Sequence, residues 1–254
     1  MKFFKNILIL IWRIWFYGWV LFTIVPIFPF LLILLSRDKW YPIFFKVARA
    51  WGRTILFVMG FNLKIEGLEK IDKHKSYIFS PNHTSMIDIM LMFGLSKNPF
   101  VFVGKKSLAK IPVFGYIFKK SSILVDRSSR GSSRKAFQDA QNKLAQGRSV
   151  CIFPEGGVPD ENVLLDNFKS GAFRMAIEHK IPIVPITFYD CKKRFSYTFF
   201  SGSPGKLRVK IHDIISPDNY TMEQRNELKQ KTYDVIHTSL IADESYMKST
   251  KLLK

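Results

Sequence analysis

Between Arg13 and Arg37 the chain carries no charge. Ile14–Leu35 is a run of aliphatic and aromatic side chains broken only by Gly18, Thr23, Pro26 and Pro29. As one straight helix it would be about 33 Å long, enough to cross a bilayer core. Apolar residues surround the whole helix, so it lacks the polar face of an ordinary core helix in a soluble domain. It is also too long for a typical signal peptide, and no small-residue cleavage site follows. Whatever else this chain builds must accommodate a segment that needs apolar surroundings on every side.

Pro26 and Pro29 each remove a backbone donor and disfavour helix in the residue before. Basic residues flank both ends of the run, Lys2, Lys5 and Arg13 before it and Arg37 and Lys39 after it, so charge assigns no single orientation. Together these features predict a helical hairpin that enters one leaflet and returns. Such a monotopic anchor would sit on the cytoplasmic face of the inner (plasma) membrane; one spanning helix is the alternative. Phe44–Met59 predicts a further helix with Lys46, Arg49 and Arg53 on one face, suited to an anionic membrane surface or equally to packing on a domain.

The charge balance bears on the partner. Lys and Arg number 39 against 20 acidic residues, a net charge of +19. That surplus fits nucleic acid or anionic lipid headgroups. The uncharged aromatic N-terminus selects lipid, and no nucleic-acid partner is expected. Cys151 and Cys191 are far apart and show no metal-ligand spacing, which fits a reducing compartment; Cys151, in an apolar run, reads as a small buried hydrophobe.

From Phe61 short apolar runs alternate with helical patterns. Expected strands are Leu63–Glu66, Tyr77–Ser80, Phe100–Gly104, Ser122–Val125, Ser149–Phe153, Ile183–Phe188 and Leu207–His212. Expected helices are Ser85–Leu95, Ser107–Lys119, Arg134–Gln146, Ser170–His179 and Met222–Ile241, the last opened by a Thr221/Gln224 capping box. The alternation predicts an α/β domain with a mixed, largely parallel sheet flanked by helices. The chain thus divides into an anchoring helical segment (1–60), an α/β domain (61–244) and a polar, frayed tail (245–254).

Two motifs carry chemistry. Tyr77 to Asp88 reads as strand, turn and helix start, with Pro81 ending the strand and Thr84 or Ser85 able to cap the helix. His83 lies just before that helix and Asp88 in its first turns. A hydroxyl becomes a good nucleophile when a base takes its proton, and a carboxylate on the other ring nitrogen fixes the tautomer of a histidine base. The plainer alternative is a capping pair, Ser85 with Asp88, beside a turn histidine. The second motif, Phe153-Pro154-Glu155-Gly156-Gly157, ends a strand in a glycine turn with a glutamate placed to orient a polar substrate, or merely to face solvent.

Asn82-His83-x4-Asp88 followed by Phe153-Pro154-Glu155-Gly156 resembles the glycerolipid acyltransferase family of lysophosphatidic acid acyltransferases. Lys105-Lys106-Ser107-Leu108 with Ile111-Pro112-x-Phe114-Gly115, then Val125-Asp126-Arg127 and Val184-Pro185-Ile186, are similar to the family's remaining motifs in the same order. The resemblance implies His83 as general base and Asp88 as its partner. It implies that Lys105, Arg127 and the loop of Glu155, Gly156 and Gly157 bind the acceptor, a lysophospholipid. The acyl donor would be a thioester of acyl-carrier protein or coenzyme A, with no cofactor or metal. The expected reaction is acylation of the 2-hydroxyl of lysophosphatidate to phosphatidate, in phospholipid biosynthesis.

One departure concerns the headgroup. After the glycine the family commonly continues with Thr and Arg, where this chain has Gly157 and Val158. Arg127, Lys105, Lys169 and Arg174 are then candidates for the anionic group, with the Gly157 amide. Another lysolipid, such as lyso-ornithine lipid, is the alternative acceptor; a non-catalytic lipid-binding protein on a degenerate fold is the alternative of a different class.

Overall fold

The computed structural model of the chain describes residues 2–126 and 130–249. Its centre is a seven-stranded sheet: β1 (Phe61–Glu66), β2 (Ile78–Pro81), β3 (Phe100–Lys105), β4 (Ser122–Val125), β5 (Ser149–Cys151), β6 (Ile183–Phe188) and β7 (Gly205–Ile211). Their order across the sheet is β1-β7-β6-β2-β5-β3-β4. β6, β2, β5, β3 and β4 run parallel to one another. β7 is antiparallel to β6 and parallel to β1, so the outer pair runs the other way. This is the mixed, largely parallel sheet that the alternating pattern predicts. The nearly all-apolar sequence of β6 follows from its place inside the sheet, where every residue from Ile183 to Phe188 is buried, Thr187 included.

The N-terminal apolar stretch is one continuous helix, α1 (Lys2–Leu34), with Pro26 and Pro29 inside it. The hairpin expected at those prolines is therefore corrected. Each proline removes one intrahelical bond, whereas a turn in apolar surroundings would strand several backbone groups. The reversal comes later, at a 3₁₀ turn over Asp38–Trp40, and α2 (Tyr41–Val58) returns antiparallel to α1. Trp12 Nε1 donates to the Met59 carbonyl (3.3 Å), Trp15 Nε1 to Val58 (3.2 Å) and Trp51 Nε1 to Thr23 Oγ1 (2.9 Å). Salt bridges from Lys143 and Arg148 to Asp38, both 2.9 Å, fasten the turn to the domain.

α2 uses its apolar face to pack on α3 (Ile87–Leu95). Gly52 allows the approach, since a Cβ there would stand 2.8 Å from the Met90 carbonyl. Of the two readings of the basic stripe, Arg53 follows the domain-packing one, donating from Nε to the Gly94 carbonyl at 2.9 Å. α1 is covered on one side by Phe16, Leu31 and Leu34, which join the core, and leaves Phe3, Phe4, Leu8, Ile14 and Phe22 largely exposed. Among the described residues it is the one helix long and apolar enough to cross a membrane.

The expected helix Ser107–Lys119 splits into a 3₁₀ turn, Lys106–Lys110, and α4 (Phe114–Ser121). Pro112 forces Ile111 out of the helical region, and Val113 takes a φ of 60°. α5 (Arg130–Ala145), α6 (Gly171–His179) and α8 (Arg225–Ile241) match expected helices, and a short α7 (Cys191–Arg194) was not foreseen. Of the capping box before α8, the Gln half forms: the Thr221 amide donates to Gln224 Oε1 at 3.0 Å. The polar tail is corrected in part. Glu244–Ser249 forms α9, because Tyr246 is buried and its hydroxyl donates to the Leu164 carbonyl at 3.1 Å.

Candidate active site

Five parallel strands bring their carboxyl ends to one edge of the sheet, the usual place for a ligand crevice in such folds. His83 follows β2, Lys105 ends β3, and Glu155 to Gly157 follow β5. Residues far apart in the chain meet there because β2 lies between β5 and β6.

His83 Nδ1 lies 2.8 Å from Asp88 Oδ2. A carboxylate oxygen only accepts, so Nδ1 carries the hydrogen and Nε2 keeps its lone pair. The same Oδ2 also accepts the backbone amides of Thr84 (2.7 Å) and Ser85 (2.8 Å). The Ser85 bond is half of a capping box, so Asp88 caps the start of α3 and orients the histidine at once. Among the described residues Oδ1 meets no donor at standard geometry, and the buried Cys191 thiol is the group beside the carboxylate, its own pKa raised well above the usual value mainly by burial. The His83 ring stacks on Phe153 with centroids 4.0 Å apart, and Phe153 stacks in turn on Phe102. The ring is thus fixed on one face and at one nitrogen while its side chain stays 16% exposed.

Asn82 and Glu155 turn out to be braces. The Asn82 amide donates to the Phe188 carbonyl (3.1 Å) and accepts the Phe188 amide (2.7 Å), extending the β2–β6 ladder with a side chain. Glu155 is buried, and its two oxygens accept the amides of His83 (2.6 Å) and Asp166 (2.9 Å). The carboxylate thus clamps the histidine turn to the loop after β5. Burial pushes its pKa up to about 7, against the two amide donors that favour the charged form. Gly156 makes the turn with φ of 84°, and its amide donates to Phe153. Gly157 is exposed, with open space where a Cβ would be.

The remaining expected residues scatter. Lys105 is exposed at the rim, paired in register with Val125. Arg127 lies outside the described residues. Lys169 is exposed, and Arg174 is taken up on α6 by Glu178 and the Phe137 ring. A cleft of about 330 Å³ opens next to His83, lined by Thr84, Val158, Asp160, Glu161, Lys192 and Tyr197. A cavity of about 300 Å³ near Leu68 and Lys97 lies before β2 and β3, at the opposite edge of the sheet.

Arg13 was missed as a site residue and read as a membrane-flanking charge. It is 3% exposed, and its Nη2 donates to the carbonyls of Ser196 (2.8 Å), Thr198 (3.0 Å) and Ser201 (3.0 Å). Its guanidinium also stands 4.7 Å from the Phe195 ring. The Ser85 hydroxyl donates to the Phe195 carbonyl, so α1 is pinned through this loop to the turn holding the dyad.

Comparison with known proteins agrees with this geometry. A family model described as acyltransferase matches residues 62–189. A 1-acyl-sn-glycerol-3-phosphate acyltransferase of Saccharomyces cerevisiae is 30% identical over 74% of this chain and 62% of its own length. A lyso-ornithine lipid O-acyltransferase of Rhizobium meliloti is 28% identical over 67% of this chain and 55% of its own length. The crystal structure of the 1-acyl-sn-glycerophosphate (LPA) acyltransferase from Thermotoga maritima shares the fold. Its TM-score is 0.74 at 23% identity, covering 94% of this chain and 96% of that one.

Proposed function

From the premise that this chain belongs to the acyltransferase family, we propose that it moves a fatty acyl chain from a thioester to the 2-hydroxyl of lysophosphatidate, giving phosphatidate. The observation that carries the reading is the His83–Asp88 pair, with Nε2 uncommitted among the described residues and a cleft at the adjacent Thr84. In the proposed reaction Nε2 removes the acceptor's hydroxyl proton as that oxygen attacks the thioester carbonyl. Asp88 stabilises the imidazolium that forms. Collapse of the tetrahedral intermediate expels the thiolate, which takes the proton back from His83. The oxyanion needs donors set in advance. The Gly157 amide supports that role, having no hydrogen-bond partner among the described residues.

The donor would be an acyl-coenzyme A or acyl-carrier-protein thioester. The exposed apolar face of α1 favours attachment to the membrane that holds the acceptor, and the proposed side is the cytoplasmic one. A second acceptor, lyso-ornithine lipid, is favoured by one feature, the absence of a cation at Val158 in the cleft.

The test is turnover by the purified full chain with labelled thioester and a panel of lysolipids, beside His83→Ala. Transfer to lysophosphatidate that the variant loses supports the reading. Near-wild-type turnover by the variant would overturn the base assignment, and transfer to no acceptor would leave the lipid-binding alternative.

A further inference from the structure

We propose that Lys192 anchors the anionic headgroup of the acceptor, a phosphate monoester or a carboxylate, in the cleft beside His83. The inference rests on the acyl-transfer reading of that site and names the residue that holds its substrate.

Lys192 sits on α7, directly after β6, and is 6% exposed. The preceding residue, Cys191, places its thiol against the Asp88 carboxylate, so the Lys192 side chain starts next to the dyad. Its ammonium has three hydrogens to donate. One goes to the Val163 carbonyl at 3.1 Å, and among the described residues no other hydrogen-bond acceptor meets it. Glu161 is near enough to attract it but not within ion-pair distance, and Glu161 Oε1 receives the Thr198 amide at 3.3 Å.

Burying an ammonium is costly unless it is paired, and this one places one of its three hydrogens on a described acceptor. Burial accordingly pulls its pKa below the ordinary lysine value, a cost that an arriving anion would offset. Lys192 is the one cation among the described residues that line the cleft. Asp160 and Glu161 line the same space and are exposed, so an anion is favoured at the buried lysine and disfavoured at the carboxylates. Val158, also lining the cleft, brings no charge.

The test measures acceptor binding without donor, so that it does not depend on turnover. The full chain in detergent is titrated calorimetrically with short-chain lysophosphatidate and with lyso-ornithine lipid, for wild type and Lys192→Met. Loss of a hydrogen bond to a charged group predicts acceptor binding weaker by about 10- to 100-fold. Thioester KM and melting temperature should stay close to wild type, which a merely structural lysine would not allow. Lys192→Arg should recover part of the affinity. Whichever lipid shows the larger effect names the headgroup as phosphate or carboxylate. Equal binding by wild type and Lys192→Met, with turnover intact, overturns this inference alone. Binding that depends on Lys192 without any turnover upholds it while the acyl-transfer reading fails. A wild type that binds neither lipid overturns both.

Discussion

Asp88→Asn separates the two things Asp88 does. Its Oδ2 receives three donors, His83 Nδ1 and the amides of Thr84 and Ser85. Two of these are backbone groups that cannot turn away, so an asparagine must put its carbonyl there and its NH₂ at the Oδ1 position. The histidine tautomer with Nε2 free therefore survives, as does the cap on α3. What disappears is the negative charge facing the imidazolium in the transition state. With charge centres about 4 Å apart and an effective dielectric of about 20, that charge contributes about 4 kcal/mol. This corresponds to a loss of about 10³-fold in kcat/KM. The assay is thiol release from the thioester donor with saturating lysolipid, using full-length protein in micelles, alongside chemical denaturation. Asp88→Asn should unfold near wild type, with acceptor KM little changed. Asp88→Ala should also lose about 2–4 kcal/mol of stability, because it leaves buried donors unmatched. Activity of Asp88→Asn within about 10-fold of wild type, roughly 1.4 kcal/mol of barrier, would refute the electrostatic role.

Arg13→Met removes the donor shared by three carbonyls and should cost about 2–4 kcal/mol locally, seen as faster amide exchange over residues 195–203 and lower activity. By the same contacts, deleting residues 1–35 should release the protein from vesicles and also impair catalysis, rather than yield a fully active soluble domain. Glu155→Gln sets an amide NH₂ against the His83 or the Asp166 amide, so a loss of about 1–3 kcal/mol in denaturation and a reduced kcat are expected. His212 is buried against Thr187, and burial, with Lys210 and Lys70 adding, depresses its pKa to about 4. The neutral form is the folded one, so stability should be full above about pH 6.5 and fall as pH drops toward 4, by at most about 3 kcal/mol. His212→Gln should flatten that part of the stability–pH curve measured by denaturant midpoint.

What residue type and short spacing settle in this chain is local. Hydropathy periods lay out the seven strands and most helices. The uncharged run marks an apolar helical segment, though its prolines point to a break that the fold does not make, and the five-residue separation of His83 and Asp88 within one strand–turn–helix brings the pair together. Distances of that kind are set by neighbouring dihedral angles, which residue type and short-range spacing reveal. The turn after α1, the brace made by Glu155, the pin of Arg13 and the place of Lys192 were decided by tertiary structure. Each depends on which strand lies beside which. Glu155 reaches the His83 amide because β5 is adjacent to β2, and Lys192 reaches the cleft because β6 lies on the other side. A charged residue in sequence looks the same whether water, a carbonyl or a substrate completes it. Only the packed chain shows which of those its burial leaves room for.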